Sequence, residues 1–336
     1  MTKQEFCQRV KKELESNYFS PTDGFQINNI MTRKNNDITL HSIVIRKDDN
    51  PMCPTFHLDG FFNKTPDVAA DSIANAYMEQ LQEEKYQIQE QISKVLDFDK
   101  AKQYICYKII NSERNKLNLQ DKPSVPVVGD LRALFYVRLS EEASVTITNE
   151  IIKNWGIDEK NALQILFDYA SRNTERLKPA TLEPLQDVLL KIVIEKAALD
   201  PNNPFIEEIS ELVEERKNAP SSYAELFILS TKDSINGASA ILYQKGKQLE
   251  SALKEISRMT GAPVNSIYIL PSSIHELLLL PDSGFYSKEE LQVLVQSVNQ
   301  SSVDPKEFLS DQIFHYDRQH GLQMLTMENK NLDLER

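Results

Sequence analysis

The sequence predicts an α+β protein: an N-terminal α+β region of mixed strands and helices, then a C-terminal antiparallel sheet with helices on one face. Three observations carry that prediction. Between residues 226 and 325 strand-like apolar runs alternate with segments of helical period in the order β-β-α-β-β-α-β-β. Turn residues punctuate the runs, among them Asn236-Gly237, a strong hairpin signal, and Asp317-Arg318-Gln319-His320-Gly321. Two apolar runs, 267–270 and 277–280, are closed by Pro271 and Pro281 and read as adjacent buried strands.

Taken in order, residues 2–16 predict a helix. Phe6, Val10 and Leu14 recur on one face, and Thr2 with Glu5 forms a capping-box pattern. Strand-like runs 25–31 and 38–45 flank a polar turn at 33–37, and a third strand is expected at 54–61. Pro66 and Asp67 open a long helix that fades into the polar stretch 82–91. Residues 104–110 fit either a strand or a buried helical turn, and 118–126 reads as a connection. Strands follow at 131–139 and 144–148. Asn149 is expected to cap a short helix ended by Gly156, and Asp158 to start another running to about 172. The remainder to 217 reads as mostly helical, with an acidic helix at 206–217, and Trp155 is expected in the core. A boundary falls at 218–222, followed by strands 226–231 and 238–243 and a helix at 245–259. A second helix, 288–298, is expected to bury Leu291, Leu294, Val295 and Val298, and a hairpin of 313–316 with 322–325 closes the chain. The expected domains are 1–122, 123–219 (a strand pair and helices, joined to the first or separate) and 220–328.

The totals narrow the function classes. With 336 residues the chain can hold two or three cores, and a net charge of -12 without any dense run of Lys and Arg leaves no nucleic-acid partner expected. The acidic residues are interleaved with basic ones, which argues against a DNA mimic. Three widely spaced cysteines, Cys7, Cys53 and Cys106, fit a reducing compartment, with Cys53 and Cys106 expected as small core residues. No signal-peptide core or membrane-span run is apparent, so a cytoplasmic protein without a membrane partner is expected. The closest two of the nine glycines, Gly237 and Gly246, are nine positions apart, which rules out Walker A and dinucleotide fingerprints. No cofactor or metal is expected.

One stretch carries site-like chemistry. Ser272, Ser273, His275 and Glu276 lie between the two apolar runs, where polar side chains must be hydrogen-bonded or functional. As catalysis, a serine would be the nucleophile and His275 the base. Strand alternation would place Ser273 and His275 on one face and Glu276 on the other, a poor local triad that also lacks a G-x-S-x-G elbow. As metal chemistry, His275-Glu276 begins like H-E-x-x-H, but Leu279 stands at the second histidine. His275 with His315 or His320 is left as a spatial alternative. In the structural reading, the serines satisfy turn backbone and His275 bonds a neighbouring strand.

Several segments mark a family. They are Pro54-Thr55-Phe56-His57-Leu58, Tyr107-Lys108-Ile109-Ile110-Asn111, Ile147-Thr148-Asn149-Glu150, Trp155-Gly156-Ile157 and Asn236-Gly237-Ala238. Leu270-Pro271-Ser272-Ser273-Ile274-His275-Glu276, Leu309-Ser310-Asp311 and Tyr316-Asp317 complete the set. Through them nearly the whole chain resembles an uncharacterised domain-of-unknown-function family of Gram-positive gut bacteria and their mobile elements, distantly YtpQ-like. The resemblance implies no activity. With no nucleotide loop, metal cluster, nucleophile elbow or basic face in the sequence, the expectation is a non-enzymatic protein that binds a protein or small-molecule partner. The alternatives are a hydrolase-like enzyme using His275 with Ser272 or Ser273, and a mobile-element protein that intercepts a host factor.

Overall fold

A computed structural model describes residues 1–48, 53–84, 93–141, 143–198, 211–216, 221 and 225–325. The first helix, α1 (Lys3–Asn17), starts at the expected capping box: Thr2 Oγ1 accepts the Glu5 N–H, and Glu5 Oε2 accepts the Thr2 N–H. Its buried stripe of Phe6, Val10 and Leu14 packs with α2 (Pro66–Glu84) over a three-stranded sheet. In that sheet β1 (Phe25–Arg33) pairs antiparallel with β2 (Thr39–Lys47), and β2 pairs with the short β3 (Thr55–His57). One apolar core, from Phe6 to Tyr77, belongs to this body. Cys53, expected inside, is exposed in the connection before β3, while Cys7 and Cys106 are buried.

The second body has two sheets. In the four-stranded one, β6 (Leu131–Arg138) pairs on one side with β4 (Ile105–Asn111) and on the other with β5 (Ser124–Val128) and β7 (Ser144–Thr146). The ambiguous 104–110 segment is thus a strand, and the expected connection already contains β5. Thr148, not Asn149, caps α3 (Asn149–Asn154), and Asp158 caps α4 (Glu159–Leu177), which runs beyond the expected end. The remainder is not all helical: β8 (Ala180–Pro184) precedes α5 (Leu185–Ala198). Residues 211–216 are helical as expected, whereas 85–91, 206–210, 217–220 and 222 lie outside the described residues.

The C-terminal elements are β9 (Phe227–Thr231), α6 (Gln248–Thr260), β10 (Ser266–Ser273), β11 (Glu276–Pro281), α7 (Lys288–Ser302), β12 (Phe314–Asp317) and β13 (Gly321–Met324). With β8 they form an antiparallel sheet ordered β13-β12-β10-β11-β9-β8. The α+β class stands, with two corrections. Residues 238–243 are not a strand, because β8 already occupies the edge of β9 that a hairpin partner would need; Gly237–Leu242 instead forms a 3-10 helix. The helices also divide between faces. Ile267, Ile269, Leu277 and Leu279 share a core with Leu249, Leu253 and Ile256 of α6, whereas Tyr268, Leu270 and Leu280 pack on Leu291 and Val295 of α7. Two faces apolar at alternate positions of one strand need a cover on each side. Leu294 and Val298, expected inside, are exposed.

One apolar core runs from Val95 to Tyr316, so residues on both sides of the expected limits at 122/123 and 219/220 share it. Trp155 packs against this core and donates its indole N–H to the Val95 carbonyl at 2.8 Å. The β1–β2 turn joins the first body to the second. Asn36, at φ +59°, donates its backbone N–H to Asn115 Oδ1 and its Nδ2 to the carbonyls of Pro305 and Phe308. The Asp37 carboxylate accepts the N–H groups of Leu117 and Asn118, both at 2.8 Å. Among the described residues no helix is long and apolar enough to cross a membrane.

Candidate functional site

Strands β10 and β11 are joined by only two residues, Ile274 and His275, and Ser273 stands directly opposite Glu276. This overturns the alternation expected from sequence. Ser273 and Glu276 are cross-strand partners, and His275 lies in the turn. The Ser273 hydroxyl accepts the His275 N–H at 3.0 Å and faces Glu276 Oε1 at 3.3 Å. Ser272 and Ser273 are both buried.

The imidazole is engaged elsewhere. Its Nδ1 is 3.0 Å from the Ser234 carbonyl and 3.3 Å from the Asn236 N–H. One tautomer donates to the first and the other accepts from the second. Either way the ring pins a loop in which Ser234 and Asn236 both hold φ of +54°. The His275 carbonyl accepts the Ser230 hydroxyl at 2.7 Å. Gly237 passes so close that a Cβ there would come within 2.2 Å of both the His275 carbonyl oxygen and Ser230 Oγ. The nearest acid, Glu307, places Oε1 3.7 Å from Nε2, beyond hydrogen-bond length.

No hydrogen bond among the described residues joins the hydroxyl of Ser272 or Ser273 to the imidazole, the contact that a nucleophile and base require. His275 is not brought together with the other two histidines of the metal alternative. His315 faces Asp282 at 3.3 Å, and His320 faces Asp317 at 2.9 Å. No group of three or more His, Cys, Asp or Glu suited to a metal occurs among the described residues.

Other motif residues meet nearby. Asp130 accepts the Ser310 hydroxyl at 2.8 Å and Asn111 Nδ2 at 2.7 Å, which ties the four-stranded sheet to the segment running beside Pro271–Ile274. Burial raises the Asp130 carboxyl above its ordinary range, against the lowering effect of those two donors. Asn299 donates to Asp311 at 2.9 Å, and the Arg114 guanidinium lies 3.5 Å from the Phe308 ring centroid. A model described as a family of unknown function (DUF5688) matches residues 3–318. The chain belongs to that family. No curated protein and no solved structure matches it.

In this DUF5688 chain a cleft of about 1060 Å³ lies away from the turn, between α4 and the residues just before α6. Phe167, Arg172 and Glu175 form one wall, and Gln244, Lys245 and Gly246 form the other. Gln244 (φ +54°), Lys245 (+57°) and Gly246 (+85°) are consecutive left-handed residues. Two of them carry a Cβ, at about 1–2 kcal/mol each. Surrounding bonds hold the conformation: Glu175 Oε2 accepts the Gln244 N–H at 3.0 Å, and the Gln244 side chain bonds Gln248 and Ser251. Sequence reading missed this feature because only Gly246 announces a left-handed turn.

Proposed function

We propose that this protein is a non-enzymatic, cytoplasmic binding protein that recognises a protein or small-molecule partner. The observation that carries the reading is the closed turn. The Ser273 hydroxyl and the His275 imidazole satisfy backbone groups and Glu276, and neither serine is activated by the histidine. The cleft beside Gln244–Gly246 is the surface we assign to the partner, because backbone strain held by surrounding bonds tends to accompany binding. The family placement among Gram-positive gut bacteria and their mobile elements, distantly YtpQ-like, rests on resemblance alone, and a role in intercepting a host factor follows only from it.

The hydrolase alternative, with His275 as base and Ser272 or Ser273 as nucleophile, is tested by fluorophosphonate labelling followed by intact mass. The binding reading expects no adduct. One adduct per chain at Ser272 or Ser273, abolished in His275→Ala, would establish the enzyme instead.

A further inference from the structure

Helix α5 carries aliphatic side chains on every side: Leu, Ile or Val stands at 188, 189, 190, 192, 193 and 194. A helix of that composition belongs inside a protein. Yet Leu189, Ile192, Val193 and Ile194 are all exposed, as is every residue from 191 to 196. Neither the closed turn nor the Gln244–Gly246 cleft uses any of them.

The surface continues onto α7. A cavity of about 220 Å³ opens between the two helices, lined by Leu185 and Gln186 of α5, by Leu291 and Leu294 of α7 and by Tyr286 just before α7. Leu189 and Val193 follow Gln186 by three and seven positions, so they carry the rim of the cavity along one face of α5. Val298 follows Leu294 by four and does the same along α7. Phe285, beside Tyr286, is 75% exposed, the most open large hydrophobic side chain among the described residues.

The extent of this face and its shape both point to an occupant. Leu189, Ile192, Val193, Phe285, Tyr286 and Leu294 present on the order of 600 Å² to solvent, the upper end of what a monomer leaves as one apolar patch. That also matches the apolar share of one side of a standard interface, which is about 800 Å² per partner and roughly two-thirds apolar in homodimers. The same face holds a projecting phenyl ring and an apolar hole large enough for one, since a cavity of about 150 Å³ already admits benzene. A two-fold interface requires that self-complementarity, because each contact is made twice with the roles exchanged. An unrelated partner does not need the knob and the hole on one surface.

We propose that this face joins two copies of the chain across a two-fold axis, with Phe285 of each copy inserted into the cavity at Leu291 and Leu294 of the other. The face shares no lining residue with the Gln244–Gly246 cleft, so either assignment can fail alone. The test is sedimentation velocity of the full chain over a range of concentrations. Wild type should show the mass of two chains at about 100 μM. Phe285→Ala, which trims an exposed side chain, and Leu294→Asp should each weaken association roughly ten-fold or more. Met31→Ala, which removes an exposed apolar side chain from β1, should leave it unchanged. Phe285→Ala keeps the test valid if Leu294→Asp does not fold. A chain that stays single, a mass that climbs past two chains, or a dimer indifferent to Phe285→Ala would overturn the proposal. So would a single chain that floats with phosphatidylcholine vesicles, which would give the face to a membrane.

Discussion

At the β10–β11 turn, hydroxyl, imidazole, carbonyl and carboxylate answer one another within a few residues, and Gly237 leaves no room to spare. At the β1–β2 turn and on β4, Lys34 and Lys108 are part-buried, and among the described residues neither side chain has an ion pair or a hydrogen bond. The first region looks like a site in the sequence, because Ser, His and Glu stand side by side. The second is invisible there, because Lys34 and Lys108 are far apart in sequence and the turn beside Lys34 meets the second body through Asn36 and Asp37. The difference teaches that proximity of reactive residue types says little about function. A part-buried charge without a partner among the described residues costs stability, which residue adjacency does not reveal.

The largest expected effect lies at the closed turn. Gly237→Ala should cost about 3 kcal/mol through the collision with the His275 carbonyl and Ser230, lowering Tm by roughly 6–12 °C. A melting temperature within a degree or two of wild type would show that the turn is slack. Next, Ser273→Ala removes the acceptor of the His275 N–H and should cost about 1–2 kcal/mol in chemical denaturation. An unchanged midpoint would break the comparison from that side.

Two substitutions should stabilise. Lys108→Met removes a part-buried charge that has no partner among the described residues and should raise stability by about 1 kcal/mol. Lys245→Gly relieves a left-handed residue with a Cβ and should gain about 1 kcal/mol, net of the added freedom of the unfolded chain. A loss in either, measured by urea unfolding, would mean the group has a partner or a fold role that the geometry omits.

The smallest effect concerns pH. His57 is bonded to Ser42 at 2.9 Å, and its imidazole is held below the ordinary 6.5, first by burial and then by Lys34, with Asp59 opposing and Lys306 adding. A base whose folded pKa is depressed takes up its proton more readily when unfolded. Its stability contribution is therefore present above about pH 6.5 and lost as the pH falls through the folded value. Wild type should lose more stability than His57→Gln between about pH 7 and about pH 5. Parallel curves for the two proteins would remove the cationic neighbourhood from the account.

Much of the fold was legible because its signals were local. Thr2 and Glu5 announced the start of α1, and the apolar runs 267–270 and 277–280 announced the central hairpin, although β10 runs on through Pro271 to Ser273. What escaped was set by distant partners. Asn236 does take the left-handed conformation that Asn-Gly foretells, but the strand expected after it lost its place to β8, whose own short run carried no period to separate it from helix. The split of α6 and α7 between two faces was written in 267–270, where every residue is apolar, but a continuous run does not say which helix covers which side. At the candidate site the adjacency of Ser273, His275 and Glu276 was legible. Their orientation was not, because the two-residue turn moved His275 off the strand.

The most direct measurement is the melting temperature of wild type against His275→Ala. Losing the ring that pins Ser234 and Asn236 should cost about 2 kcal/mol and lower Tm by roughly 4–8 °C. That drop would mean His275 holds the fold, as the closed turn requires. An unchanged or higher melting temperature would contradict the account and return His275 to the candidate catalytic residues.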